Sequence, residues 1–248
     1  MLMLRKILNI REFSRILVVL GMMMLVISPA KADLDSADKA ALNAMIRAYI
    51  QDNPEIIRDA LRDLAAREEA EQMRAALALL ALSDGDPVLG NPDGKLTIYE
   101  FSDYNCGYCK RVFGAVQKVL ADDDDIRFVV KEFPILAQSS VLAASAAIAA
   151  QAQGVFPDYH VTMMTNPGAI SMETVLQAAK DAGADLDRLQ RDMRSPEVNA
   201  IINRTRQAAD QLRISGTPGF VIGSTIVPGA ISEDELRRLI AEARAQNG

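Results

Sequence analysis

Residues 95–133 read KLTIYEFSDYNCGYCKRVFGAVQKVLADDDDIRFVVKEF. Lys95 to Phe101 is rich in strand formers, Val112 to Leu120 repeats its apolar residues at helical spacing, and Ile126 to Phe133 returns to strand composition. Strand, helix and strand in that order predict a βαβ unit with parallel strands and a right-handed crossover. Between the first strand and the helix stands Asn105-Cys106-Gly107-Tyr108-Cys109, which holds both cysteines of the chain. A thiol at a helix N-terminus lies beside unpaired backbone N–H groups and the positive end of the helix dipole, and both favour the thiolate. Cys106 takes that place. Cys109, one turn further on, can attack a mixed disulfide formed on Cys106 and release the partner.

Two plainer readings of the pair are weaker. A structural disulfide closing so short a loop removes little chain entropy from the unfolded state. A Cys and His zinc site needs four ligands, and the chain has two cysteines and one histidine, His160, far along in a helical segment. No metal site is therefore expected, and His160 reads as a packed or surface residue. Redox exchange through Cys106 and Cys109 remains.

Outward from this unit, turn clusters at Asp84-Gly85-Asp86-Pro87 and Gly90-Asn91-Pro92-Asp93-Gly94 mark a domain start near residue 83. The segment before it, 33–82, predicts two helices, about 36–51 and 54–82, with Asn53 capping the second and Pro54 opening it. The apolar stripe of the second helix, Ile57, Leu61 and Leu64, is interrupted from Ala66 to Gln72 and resumes at Leu77, which argues against a sustained coiled coil. After the βαβ unit, residues 138–212 are rich in Ala, Leu and Gln, with breaks at Gly154, Asn166-Pro167-Gly168, Gly183 and Ser195-Pro196 that outline four or five short helices. Gly219 to Gly223 and Ser224 to Pro228 follow as strands at hairpin distance, and Ser232 caps a last helix. Asp122 to Asp125 lacks the alternation and glycine of a calcium loop and reads as a solvated helix end.

Residues 1–32 have the pattern of an export signal: Arg5, Lys6, Arg11 and Arg15, then the apolar run Ile16 to Ile27, then Ala30-Lys31-Ala32. The run falls short of the ~20 residues that span a bilayer, and cleavage is expected after Ala32. The whole chain has 27 basic and 33 acidic residues, and without the signal 22 and 32 remain, a net charge of −10. So acidic a chain, with no basic stripe, is not expected to bind nucleic acid. An exported chain works where disulfides persist.

Three stretches resemble the signature regions of the DsbA family of thioredoxin-fold oxidoreductases, and in the family's order: Glu100 to Cys109, Lys131-Glu132-Phe133-Pro134-Ile135-Leu136, and Ser215-Gly216-Thr217-Pro218-Gly219-Phe220. The similarity covers about 95–248. The stretch Asn53-Pro54-Glu55-Ile56-Ile57 is similar to the helical pair of the ScsC-like branch, some members of which trimerise through this region. The fold this resemblance implies is α/β and thioredoxin-like, with an inserted helical domain at about 138–212 in a catalytic domain 83–248 that follows the helical segment 33–82. It implies Cys106 and Cys109 as the redox-active, catalytic disulfide, a cis Pro218 facing them, and substrate binding by Thr217 and Pro218. It makes Glu100 a buried acid that moves protons near the cysteines. No dissociable cofactor is required.

The implied function is exchange with the cysteines of exported client proteins in the periplasm, as isomerase or oxidase, with a membrane redox partner and a homo-oligomer, a trimer, built through 33–82. Departures from the best-known members are Gly107-Tyr108 in place of Pro-His between the cysteines, which argues against a very strongly oxidising potential, and Gly219 in place of a larger residue. The rival reading is a non-catalytic oligomeric holdase or a copper-handling binding protein, since two thiolates suit Cu(I).

Overall fold

The structure, a computed structural model, describes residues 35–81 and 84–247. The expected signal over 1–32 lies outside the described residues. The chain divides into two units, Met1–Asp63 and Leu64–Gly248.

In the first unit, α1 (Ser36–Asp52) starts from Asp35, whose carboxylate accepts the Asp38 N–H at 2.8 Å. Asn53 closes α1 instead of capping the next helix: its N–H and its Nδ2 both donate to Tyr49 O, at 3.0 and 2.8 Å. An amide side chain carries donors as well as an acceptor, so it serves a helix end as readily as a start. α2 (Glu55–Ala81) then begins. Leu42, Met45, Ile46, Tyr49 and Ile50 line one side of α1 at helical spacing and are all exposed, as are Ile56, Ile57, Leu61 and Leu64 on α2.

The later turns of α2 have a different fate, which explains the broken stripe. Ala76 and Leu80 are fully buried against Phe101, Phe133, Val221, Ala208 and Leu212. This stretch of α2 therefore belongs to the core of the second unit, which begins at Leu64.

The second unit is built on a five-stranded sheet of order β1-β3-β2-β4-β5. Its strands are β1 (Val88–Gly90), β2 (Leu96–Ser102), β3 (Ile126–Glu132), β4 (Gly219–Ile222) and β5 (Thr225–Pro228). Only β2 and β3 run parallel, joined through α3 (Gly107–Asp122) as the βαβ pattern requires, and the other three pairings are antiparallel. β1 is a strand the sequence did not announce, because three residues between two turn clusters are too few to show alternation.

Strand alternation assigns the two faces. Ile98, Phe128, Val130, Phe220 and Ile222 pack with Val112, Phe113 and Val116 of α3 and with Leu236, Leu239 and Ile240 of the last helix, α9 (Glu233–Asn247). Phe101 and Val221 face the other way, toward α2 and α8 (Pro196–Gln211). The insertion supplies α4 (Gln138–Gln151), α5 (Phe156–Thr165), α6 (Met172–Asp181), α7 (Leu186–Asp192) and α8. Helix α4 is buried on all sides from Ala143 to Ala150, which its small residues permit, and it forms the centre of the insertion.

Two anchors bear on the site. Arg213 ends α8 in the left-handed region, φ 55°, and the Ile214 N–H closes onto Ala209 O at 2.8 Å, turning the chain toward Thr217. The acidic run after α3 is paired instead of free: Arg237 reaches Asp122 at 2.6 Å and Arg244 reaches Asp123 at 2.6 and 2.9 Å. These pairs are partly exposed, so they orient α9 more than they stabilise the fold.

Candidate active site

β2 delivers the chain to the sheet's edge at Ser102, and the next residues turn it into α3. Cys106 is the N-cap of α3, with its Sγ accepting the Cys109 N–H at 3.4 Å and its thiol facing Thr217 O at 3.1 Å. Cys106 is nearly buried, Cys109 is fully buried, and both are free thiols. The Thr217–Pro218 peptide is cis. A cavity of about 260 Å³ opens beside Thr217 and Pro218, lined also by Ile214, Ile226 and Pro228. The structure thus brings Cys106, Cys109, Thr217 and Pro218 together from positions more than a hundred residues apart in sequence.

Gly219 has a local reason. A Cβ there would meet Ile214 Cγ2 at 2.8 Å, so the side chain that turns the chain into this loop leaves no room for a larger residue.

Glu100 lies on the same sheet face as Ile98 and Phe220, turned toward α3 and fully buried. Burial raises its carboxyl from 4.5 to about 8, with Ser102 pulling slightly the other way. Burial, and then the Glu100 carboxyl, push the Cys109 thiol well above the usual thiol range, against a smaller opposing effect from the Asp103 backbone and Ser102. Cys109 therefore stays a thiol until a base takes its proton, and Glu100 is the carboxyl whose charge acts on it.

A pH-dependent stability follows. The native state keeps the Glu100 proton between pH 4.5 and about 8, where the unfolded chain has lost it. The contribution is complete below pH 4.5 and is lost as pH rises toward 8, at up to about 1.4 kcal/mol per pH unit. Glu100→Gln cannot ionise, so thermal melts should show it matching the parent at pH 4.5 and exceeding it increasingly up to pH 8.

The sequence reading missed other buried polar groups here. Glu132 pairs in register with Ser102 and is fully buried, which raises its carboxyl well above the ordinary range, with Tyr104 opposing. Tyr104 shares a 2.8 Å hydrogen bond with His160 Nδ1, and burial lowers His160 to about 3, so the imidazole is neutral. His160 is thus a packed residue, surrounded by Tyr104, Phe113 and Phe156. Asp103 was also overlooked, although its carboxylate accepts hydrogen bonds from Asn105, Ile135 and Leu136 N–H groups. A strand's final residues carry no pattern that separates an exposed acid from a buried one. Among the described residues, no group of three or more His, Cys, Asp or Glu is arranged to hold a metal ion.

A Cys-x-x-Cys pair capping a helix at the end of a central strand, facing the loop before an edge hairpin, is the arrangement of a thioredoxin fold. The chain belongs to the thioredoxin family: the model described as Thioredoxin matches residues 82–242. The model described as Copper resistance protein ScsC N-terminal domain matches residues 38–71, so a thioredoxin unit follows a segment similar to the N-terminal domain of ScsC. A thioredoxin-like oxidoreductase from Silicibacter pomeroyi DSS-3 is 41% identical with a TM-score of 0.62, over 65% of this chain and 93% of that one. A linker-deleted mutant of Proteus mirabilis ScsC is 26% identical with a TM-score of 0.64, over 88% of this chain and all of that one. The thiol-disulfide exchange protein alpha-DsbA2 from Wolbachia pipientis is 26% identical with a TM-score of 0.64, over 73% and 97%.

Curated relatives include Na(+)/H(+) antiporter NhaA 1 of Salinispora arenicola, 28% identical over 186 residues, which are 69% of this chain. The chain spans 28% of that relative's length, and no helix among the described residues is long and apolar enough to cross a membrane.

Proposed function

We propose that the protein is a periplasmic disulfide isomerase for exported proteins, acting through a mixed disulfide on Cys106. The observation that carries this reading is the 3.1 Å approach of Cys106 Sγ to Thr217 O at the N-terminus of α3. A client segment lying along Thr217 and Pro218 presents its sulfur to Cys106. The Cys106 thiolate attacks a client disulfide, one client sulfur leaves as thiolate, and the other is held on Cys106. A second client thiol then attacks the mixed disulfide and frees Cys106 with a new pairing in the client. Where none arrives, Cys109 gives its proton to the ionised fraction of Glu100, which grows as pH approaches 8, and displaces the client, forming the Cys106–Cys109 disulfide, which a membrane redox partner reduces again. Removing a proton acceptor of this kind slows a step by ~10²-fold or more, so Glu100→Gln should slow release by Cys109 and leave the first attack unchanged.

Isomerisation is favoured over oxidation by the exposed apolar rows of Leu42 to Ile50 and Ile56 to Leu64. Such rows are covered when copies of the chain associate, here as a trimer, and several sites then face one client. The test compares the reduced mature chain, residues 33–248, with a version starting at Leu64, which keeps Ala76 and Leu80 in the core. Light scattering should show an oligomer for the first and a monomer for the second, and only the first should restore activity to a scrambled multi-disulfide substrate. If neither reshuffles while the oxidised forms introduce disulfides into a reduced substrate, the protein is an oxidase. If a Cys106→Ser, Cys109→Ser variant keeps full cellular function, a holdase or copper-handling role replaces both.

A further inference from the structure

Three helix ends of the second unit share one pattern of backbone bonds. After α4 the Gly154 and Val155 N–H groups donate to Gln151 O and Ala150 O, both at 3.0 Å. After α6 the Gly183 and Ala184 N–H groups donate to Lys180 O and Ala179 O, both at 2.9 Å. After α8 the Arg213 and Ile214 N–H groups donate to Asp210 O and Ala209 O, at 3.1 and 2.8 Å. The first residue of each pair takes a positive φ, 75° at Gly154, 88° at Gly183 and 55° at Arg213. Glycine adopts that conformation freely, whereas a Cβ crowds the following carbonyl. Arg213 is the one non-glycine residue with a positive φ among the described residues.

The fold supplies no reason for an arginine at this turn. Its side chain is exposed, and among the described residues the guanidinium makes no ion pair or hydrogen bond, not even with the Asp210 carboxylate three residues earlier. It does line the cavity of about 260 Å³ beside Thr217 and Pro218, and among the described residues it is the only charged side chain in that wall. Thr217 lines the same cavity, with its carbonyl 3.1 Å from Cys106 Sγ. A residue held in a strained conformation, whose side chain neither packs nor pairs but stands in the wall of the substrate cavity, serves something outside the chain.

We propose that Arg213 is a specificity-determining residue that binds a client carboxylate, so that clients with Asp or Glu beside the reacting cysteine are preferred. The inference rests on the reading of Cys106 as the attacking thiol, which places the client sulfur next to Thr217. A guanidinium offers a planar fork of donors that a carboxylate fills with two parallel bonds. No acid in the cavity wall competes for it, since the neighbouring lining residues are Ile214, Ser215 and Gly216. The cation also offsets, at this one place, the repulsion that a chain acidic overall exerts on an acidic client.

The test uses the reduced mature chain and three peptides with blocked termini, each with one cysteine held as a mixed disulfide with 2-mercaptoethanol and flanked on both sides by Glu, Gln or Lys. The Cys106 thiolate attacks the peptide sulfur, the disulfide between Cys106 and the peptide forms, and 2-mercaptoethanol leaves as thiolate. Second-order rate constants are compared with those of Arg213→Gln, which cancels whatever the flanking charges do to the peptide disulfide itself. The Glu-to-Gln rate ratio should be roughly three- to fivefold higher in the parent than in the variant, the range of an exposed ion pair, and the margin should shrink as salt is raised. The Lys-to-Gln ratio should be lower in the parent. Arg213→Gly should lose the Glu preference in the same way while melting no lower than the parent, because the left-handed position suits glycine, and it keeps the test open if Arg213→Gln fails to fold. The proposal is overturned if the Glu-to-Gln ratio is the same in the parent and either variant, or if the parent's margin persists undiminished at high salt. No exchange with any peptide overturns the reading of Cys106 itself.

Discussion

Replacing Cys106 with serine is expected to lower the rate of disulfide exchange by on the order of 10³-fold or more while leaving the melting temperature close to that of the parent. The chemical loss is nearly complete because a hydroxyl cannot form the mixed disulfide. The structural loss is small, since a serine Oγ is a good N-cap for α3 and can donate to Thr217 O as the thiol does. The check is a stopped assay with a fluorescent disulfide substrate beside a thermal melt. Loss of both activity and fold would assign Cys106 a structural part that its contacts do not support.

The largest effect on stability is expected at Lys131, on the sheet face opposite Glu100. Its Nζ is 2.6 Å from Asp86 Oδ2, and both side chains are completely buried. Arg204 reaches the same oxygen at 3.3 Å, while Asp86 Oδ1 has no partner. Burial lowers the lysine, and the adjacent Asp86 charge opposes that effect. Lys131→Met leaves the aspartate with one partly exposed cation, and breaking a buried pair in this way costs roughly 3–5 kcal/mol. The double variant Lys131→Met, Asp86→Leu should recover most of the loss, because two apolar groups replace two desolvated charges. Denaturant titration of the parent, the single variant and the double variant measures this directly. In the fraction that folds, exchange by Cys106 should be unaffected, since Lys131 faces away from α3.

Much of this architecture was readable from side-chain order. Strand-forming composition in Lys95 to Phe101 and Ile126 to Phe133 located β2 and β3 within a residue, and the breaks at Gly154, Asn166, Gly183 and Ser195 separated the five helices of the insertion. Cys106 and Cys109 stood out because helix position and chemistry agree there.

What remained hidden depends on partners distant in sequence. Alternation placed Glu100 with Ile98, but whether that face was covered depended on α3, α9 and the insertion arriving over it. Asp103 and Glu132 look like ordinary acids until β2 and β3 pair and bring Ser102 opposite Glu132. The burial of Lys131 required Asp86, in a turn cluster 45 residues earlier. The later turns of α2 had no local sign of a core role either, because Ala76 and Leu80 are buried by residues from the far end of the domain.

The most direct measurement is to trap the exchange intermediate. Mature protein carrying Cys109→Ala has no resolving thiol, so reaction with a disulfide-containing client peptide should give a stable one-to-one adduct. Mass spectrometry of the digested adduct should place the peptide on Cys106, and added dithiothreitol should release it. No adduct, with the client disulfide intact after the parent protein has been given the same peptide, would contradict exchange through Cys106.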